Sequence, residues 1–250
     1  MAKNPGERLF ERYLSSLGYE LIAYEPTLGT VKRPDYLIRA AGHEVVVEVE
    51  SFGSPAPPAG SSADRIEPIS DRLRSVRNRI SAGAAQLKGI SDRPLVVVLA
   101  NPEGSPVPLE PPMVMSAMYG DLNVAFHHGG GTNIEFGRNG RLHVAESSGS
   151  SRGNHPYLSA VAVLRFNYAA DAHTAARIEA QSMGYTNPLA ILREANRILH
   201  ERGEAYAESI CLDVFESLSE SAVPLPPEVF SGPYDTRWGK LPSGGYGQRS

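Results

Sequence analysis

Arg33-Pro34-Asp35-Tyr36-Leu37-Ile38-Arg39, followed by Glu44-Val45-Val46-Val47-Glu48-Val49-Glu50, decides how this chain is read. Both runs have strand length and composition, and Ala40-Ala41-Gly42-His43 joins them as a short turn containing Gly. Successive side chains alternate across a strand. Val45, Val47 and Val49 therefore share one face, and Glu44, Val46, Glu48 and Glu50 share the other. Glu48 and Glu50 project together from the end of an otherwise apolar strand, and Asp35 opens the neighbouring strand beside them. Carboxylates brought together repel one another and are costly to desolvate, so the arrangement calls for a proton or a cation. A hard divalent ion suits it, since Mg²⁺ takes oxygen ligands and keeps several of its waters.

On the N-terminal side, Leu9, Phe10, Tyr13, Leu14 and Leu17 recur at helical spacing after Asn4-Pro5, and Gly18 is placed to end a helix over residues 5–17. Of its two acidic residues one turn apart, Glu7 reads as part of a solvated face with Arg8 and Arg12, and Glu11 as the carboxylate that could face the acidic strand. Residues 19–24 read as a strand. On the C-terminal side, residues 51–62 hold Pro55, Pro57 and Pro58 with Gly53 and Gly60, which excludes helix or central strand. Residues 66–88 form the strongest helical pattern, with Ile66, Ile69, Leu73, Val76, Ile80, Ala84 and Leu87 in one stripe. Arg72, Arg79 and Gln86 lie along one flank of that stripe, and Arg77 and Lys88 along the other. Pro94-Leu95-Val96-Val97-Val98-Leu99-Ala100 is a strand apolar on both faces, hence central.

These residues resemble the signature of the PD-(D/E)XK nuclease superfamily. Pro34-Asp35 matches its first element, and Glu48-Val49-Glu50 its second, with Glu50 where Lys is usual. The order helix, three strands, helix, strand is that of the restriction-endonuclease-like αβββαβ core. The resemblance implies an α/β fold with a mixed central sheet and a bacterial, metal-dependent nuclease; the single cysteine and the lack of a long apolar run lead to the expectation of a cytoplasmic protein. It implies that Asp35, Glu48 and Glu50, with Glu11 as an outer ligand, bind Mg²⁺ or Mn²⁺. Gln86 and Lys88 would position water or phosphate in the catalytic site. Lys32, Arg33, Arg72, Arg77 and Arg79 would hold the nucleic-acid backbone, DNA in preference to RNA, and a homodimer or a partner subunit is compatible with this reading. Replacement of the motif Lys by Glu50 favours the alternative of a nuclease-fold subunit that binds nucleic acid or assembles with others without catalysis.

Charge is distributed consistently with a phosphodiester substrate. The net charge of −4 carries no global basic footprint. Residues 65–93, however, hold seven Lys/Arg against three Asp/Glu, whereas the first fifty hold six against eight. The single cysteine, Cys211, excludes an intramolecular disulfide, and no apolar run approaches membrane-span length.

The nuclease-like core is expected over residues 1–104, with 105–250 extending the same domain as a C-terminal α+β elaboration. There, residues 113–119 read as a short helix, and 122–126, 133–136 and 141–144 as short strands. Residues 158–167 and 210–215 read as strands, 172–183 and 189–203 as helices. His127-His128 point to opposite faces of a strand, which argues against joint ligation of one ion. The Pro-rich tail from Pro224, with Val229, Phe230 and Trp238, is expected to dock on the domain, and the last ten residues to fray.

Overall fold

β-branched residues favour extended backbone, and the valine-rich runs lie at the middle of one sheet. In the computed structural model, which describes residues 3–28, 32–53, 69–102, 105, 107–126, 132–142, 155–168, 172–201, 207–242 and 245–249, the chain opens with helix α1 (Pro5–Ser16). Strands β1 (Glu20–Tyr24), β2 (Tyr36–Ala40) and β3 (His43–Ser51), helix α2 (Ile69–Leu87) and strand β4 (Leu95–Ala100) follow. Next come α3 (Pro111–Tyr119), β5 (Gly120–Phe126), β6 (Thr132–Asn139), β7 (Ala160–Tyr168), α4 (Ala172–Ser182), α5 (Pro188–Glu201), β8 (Ala207–Glu216), β9 (Thr236–Lys240) and β10 (Tyr246–Arg249).

Eight strands form one mixed sheet in the order β1-β2-β3-β4-β7-β8-β9-β10, and β5 and β6 pair separately. β3 runs parallel to β4, β4 to β7 and β8 to β9, while the other neighbours are antiparallel. The alternation of β3 is the hinge of the packing. Val45, Val47 and Val49 join Phe10 and Tyr13 of α1 in one core, on the face that also receives Leu225, Val229 and Phe230. Val46 joins Val76, Ile80 and Ala84 of α2 in the other core. α2 crosses over between two parallel neighbours and so runs antiparallel to them. Its first half lies over the C-terminal ends of β3 and β4.

Two expectations change. Arg141 and Leu142 form no strand; their amides close the end of α3 by donating to the Ala117 and Met118 carbonyls at 3.1 and 2.6 Å. Residues 143–144 lie outside the described residues. The end of the chain contributes β9 and β10 to the sheet, because the Pro-rich stretch before them brings Asp235 onto β8. The Asp235 carboxylate accepts from Leu212 N–H at 2.8 Å, Gly232 N–H at 2.7 Å and the Tyr13 hydroxyl at 2.6 Å. The helix expected from Ile66 is described from Ile69 onward. Residues 54–68, His127 and His128 lie outside the described residues, as do Gly129, Gly130 and Gly131. Among the described residues no helix is long and apolar enough to cross a membrane.

Candidate active site

The β2–β3 ladder runs in register as far as Tyr36 opposite Val47, and Pro34 brings no N–H to continue it. The Asp35 side chain takes over. Its Oδ2 accepts the Val49 amide at 2.8 Å, where a main-chain carbonyl would otherwise stand, and the Asp35 amide donates to Glu48 Oε2 at 3.1 Å. Each carboxylate is thus held by the other residue's strand. Glu48 is only 7% exposed. Burial first, and then the charge of Asp35 with those of Glu50 and Glu7, pushes the Glu48 carboxyl up to about 9, against the opposing pull of the Asp35 amide. Burial likewise pushes Asp35 up to about 6, the Val49 amide opposing and Glu7, Glu50 and Glu25 reinforcing. Burial and the neighbouring carboxylates thus favour the protonated form of Glu48 at neutral pH.

The helix carboxylate that faces this cluster is Glu7, not Glu11. Asn4 caps α1, its Oδ1 accepting from Glu7 N–H at 2.9 Å, while Glu7 Oε2 accepts from Asn4 N–H at 3.2 Å. Gly6 lets this end approach the strands. A Cβ there would lie 2.9 Å from Ala100 Cβ and 3.0 Å from Ser51 Cβ. Glu7 is consequently buried and acts on both Asp35 and Glu48. Tyr24 donates to it at 3.3 Å, and its hydroxyl is pushed up to about 12 by burial and then by the charge of Glu7. Glu11, one turn on, pairs with Lys3 at 2.5 Å and accepts from the Tyr36 hydroxyl at 3.1 Å. The sequence signal for Glu7 was the string Asn4-Pro5-Gly6-Glu7: a capping box with a glycine where the helix must touch the sheet.

Glu50 is held from α2. Its Oε2 accepts from Arg79 Nη1 at 3.1 Å, and the Arg79 guanidinium lies 6.0 Å from the Phe52 ring centroid. One turn further, a Cβ on Gly83 would lie 2.9 Å from Val97 Cγ1 and 3.2 Å from Glu50 Cγ, so glycine sets how closely helix and strand approach. An open pocket of about 410 Å³ lies alongside, walled by Phe52, Ser75, Asn78, Arg79, Ser105 and Val107.

The remaining candidates divide. Gln86 is half-buried on the same face of α2 as Arg79 and Gly83, one turn beyond Gly83. Lys88 is exposed beyond the end of α2, near His155 and Arg141, and is not brought to Asp35 and Glu48. Arg77 is not on a solvent-facing flank. It is 6% exposed under α3, where its Nη2 donates to the Ser116 carbonyl at 3.5 Å. Lys32 and Arg33 are exposed just before Asp35. The backbone of Arg72 lies in α2, and its side chain is outside those described.

Among the described residues no three Asp, Glu, His or Cys side chains converge as a ready-made metal group. The hydrogen bonds account for this: Glu7 turns to Asn4, Glu50 to Arg79, Asp35 to the Val49 amide and Glu48 to the Asp35 amide. Asp35 and Glu48 nevertheless suit Mg²⁺ or Mn²⁺. They are hard oxygen donors, their ionised forms are destabilised where they stand, and Mg²⁺ commonly binds through one or two carboxylates plus water.

No family model matches the chain, and no curated protein matches it. A solved structure of SfsA from Pyrococcus furiosus in complex with Ca²⁺ is similar over 38% of this chain and 38% of that one, at 19% identity and a TM-score of 0.20. The chain thus spans well under half of the SfsA length it is compared with, and overlap that small assigns neither fold nor function.

Proposed function

We propose that the chain is a metal-dependent nuclease whose first hundred residues form a restriction-endonuclease-like core, with Asp35 and Glu48 as the residues that hold Mg²⁺ or Mn²⁺. The observation that carries this reading is the pair of hydrogen bonds that holds the two carboxylates side by side, Asp35 N–H to Glu48 and Val49 N–H to Asp35, together with a Glu48 carboxyl pushed up to about 9. An acidic pair with perturbed titration, Glu48 buried and Asp35 half-buried, beside a close-packed helix N-terminus is costly to maintain, and such arrangements concentrate at functional sites. When bound, the ion supplies polarisation of the scissile phosphate and a bound water of lowered pKa.

The chain's own residues do the rest. Asp35 and Glu48 fix the position of the charge, and Glu48 gives up its proton on loading. Glu7 adds a third carboxylate from α1. Lys32 and Arg33, exposed beside Asp35, meet the sugar–phosphate backbone, which supplies affinity without sequence preference. DNA is the expected substrate, and cleavage of DNA and RNA strands by the protein with Mg²⁺, Mn²⁺ or EDTA tests the reading directly. Metal-dependent cleavage, lost in Asp35→Asn, supports it; cleavage unaltered in that variant removes Asp35 and the site with it.

One observation favours a second reading. Glu50 already has its counter-charge in Arg79, so the site is partly neutralised without an ion, as suits a subunit that binds nucleic acid without cleaving it. Binding of the same strands with no cleavage under any metal selects that reading.

A further inference from the structure

The residue in the third motif position has its own partner on the neighbouring helix. Glu50 Oε2 accepts from Arg79 Nη1 at 3.1 Å, and the two side chains are unequally exposed, 12% for Glu50 and 45% for Arg79. The carboxylate is the buried anchor and the guanidinium the half-open end. Gly83 is what permits this, since any side chain one turn beyond Arg79 would strike Val97 and Glu50. Phe52 supports the guanidinium from beneath at 6.0 Å. A guanidinium carries five donors in a rigid fork, and among the described residues its hydrogen bond is to Glu50 alone. Arg79 also walls the pocket of about 410 Å³, within the range of roughly 300 to 1,000 Å³ typical of small-ligand sites. The other walls include Asn78 and Ser105. Ser105 is fixed by Asn101, which accepts its amide and donates to its carbonyl, both at 2.8 Å.

We infer that Arg79, oriented by Glu50, is the phosphate-binding group of this pocket, which takes the phosphate of the nucleotide next to the scissile bond. Glu50 is then a positioning residue for Arg79 and not a metal ligand. The motif position usually held by Lys keeps a positive charge at the site by recruiting one from α2. A planar fork backed by a carboxylate and an aromatic ring suits bidentate recognition of a phosphate, which a mobile ammonium does not provide. This inference rests on the nuclease reading for its substrate, but it makes separate claims about Arg79 and Glu50.

Two measurements test it. The first is fluorescence anisotropy of a short labelled DNA strand in EDTA across a salt series. Arg79→Ala should weaken binding about tenfold, the worth of one charge-assisted hydrogen bond, and lower the salt slope by about one. Arg79→Lys should recover the slope but only part of the affinity. The second is calorimetric titration with Mn²⁺ alone. Glu50→Gln should keep the Mn²⁺ affinity within about twofold, whereas Asp35→Asn should lose it by more than the 10- to 100-fold typical of losing a residue that only orients a ligand. Binding and salt slope unchanged in Arg79→Ala, or Mn²⁺ affinity lost in Glu50→Gln, would overturn the inference while leaving Asp35 and Glu48 untouched. Absence of Mn²⁺ binding and cleavage in the unaltered chain, with the Arg79→Ala effect present, would overturn the nuclease reading and leave Arg79 as a phosphate contact. No DNA binding by any form would overturn both.

Discussion

At the scale of single residues, the acidic cluster holds protons that the unfolded chain would release, and this fixes a pH dependence. The folded pKa is about 9 for Glu48 and about 6 for Asp35, against ordinary values of 4.5 and 3.8. Between those limits the folded state binds more protons than the unfolded one, so stability falls as pH rises. Their contribution is fully present below about pH 4, that of Asp35 is lost through about 6 and that of Glu48 through about 9. Thermal denaturation of the metal-free protein from pH 5 to 9 should therefore give a steadily falling melting temperature, and Glu48→Gln should flatten the fall. A melting temperature that rises over this range would mean that the carboxyls ionise freely. Asp35 and Glu48 were legible in the sequence because the period-two pattern of a strand places side chains without further information. Glu7 was misread because helical spacing alone puts it beside Arg8 and Arg12, and only contact with Ser51 and Ala100, remote in sequence, turns it inward. Arg77 was misread for the same reason: α3, more than thirty residues on, covers the flank that looked solvated.

At the scale of elements, glycine sets two approaches that the site depends on. A Cβ at Gly6 would meet Ala100 Cβ at 2.9 Å and Ser51 Cβ at 3.0 Å. Both are the first atoms off their backbones and cannot rotate aside, so α1 would have to lift. Gly6→Ala should therefore cost about 1 to 3 kcal/mol from overpacking, reduced by up to about 1 kcal/mol of gained helix propensity. A net loss of about 1 to 2 kcal/mol is expected, a drop of roughly 2 to 8 °C in a thermal melt, accompanied by weaker Mn²⁺ binding, since Glu7 moves with the helix. An unchanged melt would show that α1 does not press on β3 and β4 there. The order helix, three strands, helix, strand of the first hundred residues was readable because each element buries one face and displays its period. β9 and β10 were not readable. Thr236-Arg237-Trp238-Gly239-Lys240 has no alternation of its own, and its strand state comes from pairing with β8.

At the scale of the whole molecule, the sheet continues across the acidic half into the tail, and the two are tied together. Arg237, 13% exposed at its side chain, pairs with Glu216 at 2.7 Å and donates to the carbonyls of Leu225 at 3.3 Å, Pro226 at 3.1 Å and Val229 at 2.5 Å. Val229 and Phe230, which this guanidinium holds in place, pack in the same core as Phe10 and Tyr13 of α1. Arg237→Met leaves these acceptors without their donor and should cost about 3 to 5 kcal/mol. The unfolding should remain a single transition, because tail and α1 share one core; a separate early transition of the tail would contradict that coupling. Metal loading acts on the same global equilibrium. An ion bound only by the folded chain stabilises it by about 2.7 kcal/mol at a hundredfold excess over its dissociation constant. It must also expel the proton that Glu48 carries, since ligating carboxylates are deprotonated. Calorimetric titration with Mn²⁺ at pH 7, in two buffers of different ionisation enthalpy, measures binding and proton release together. Binding with release of about one proton is expected, and loss of that release in Glu48→Gln. No Mn²⁺ binding at several millimolar, or binding without proton release, would contradict it.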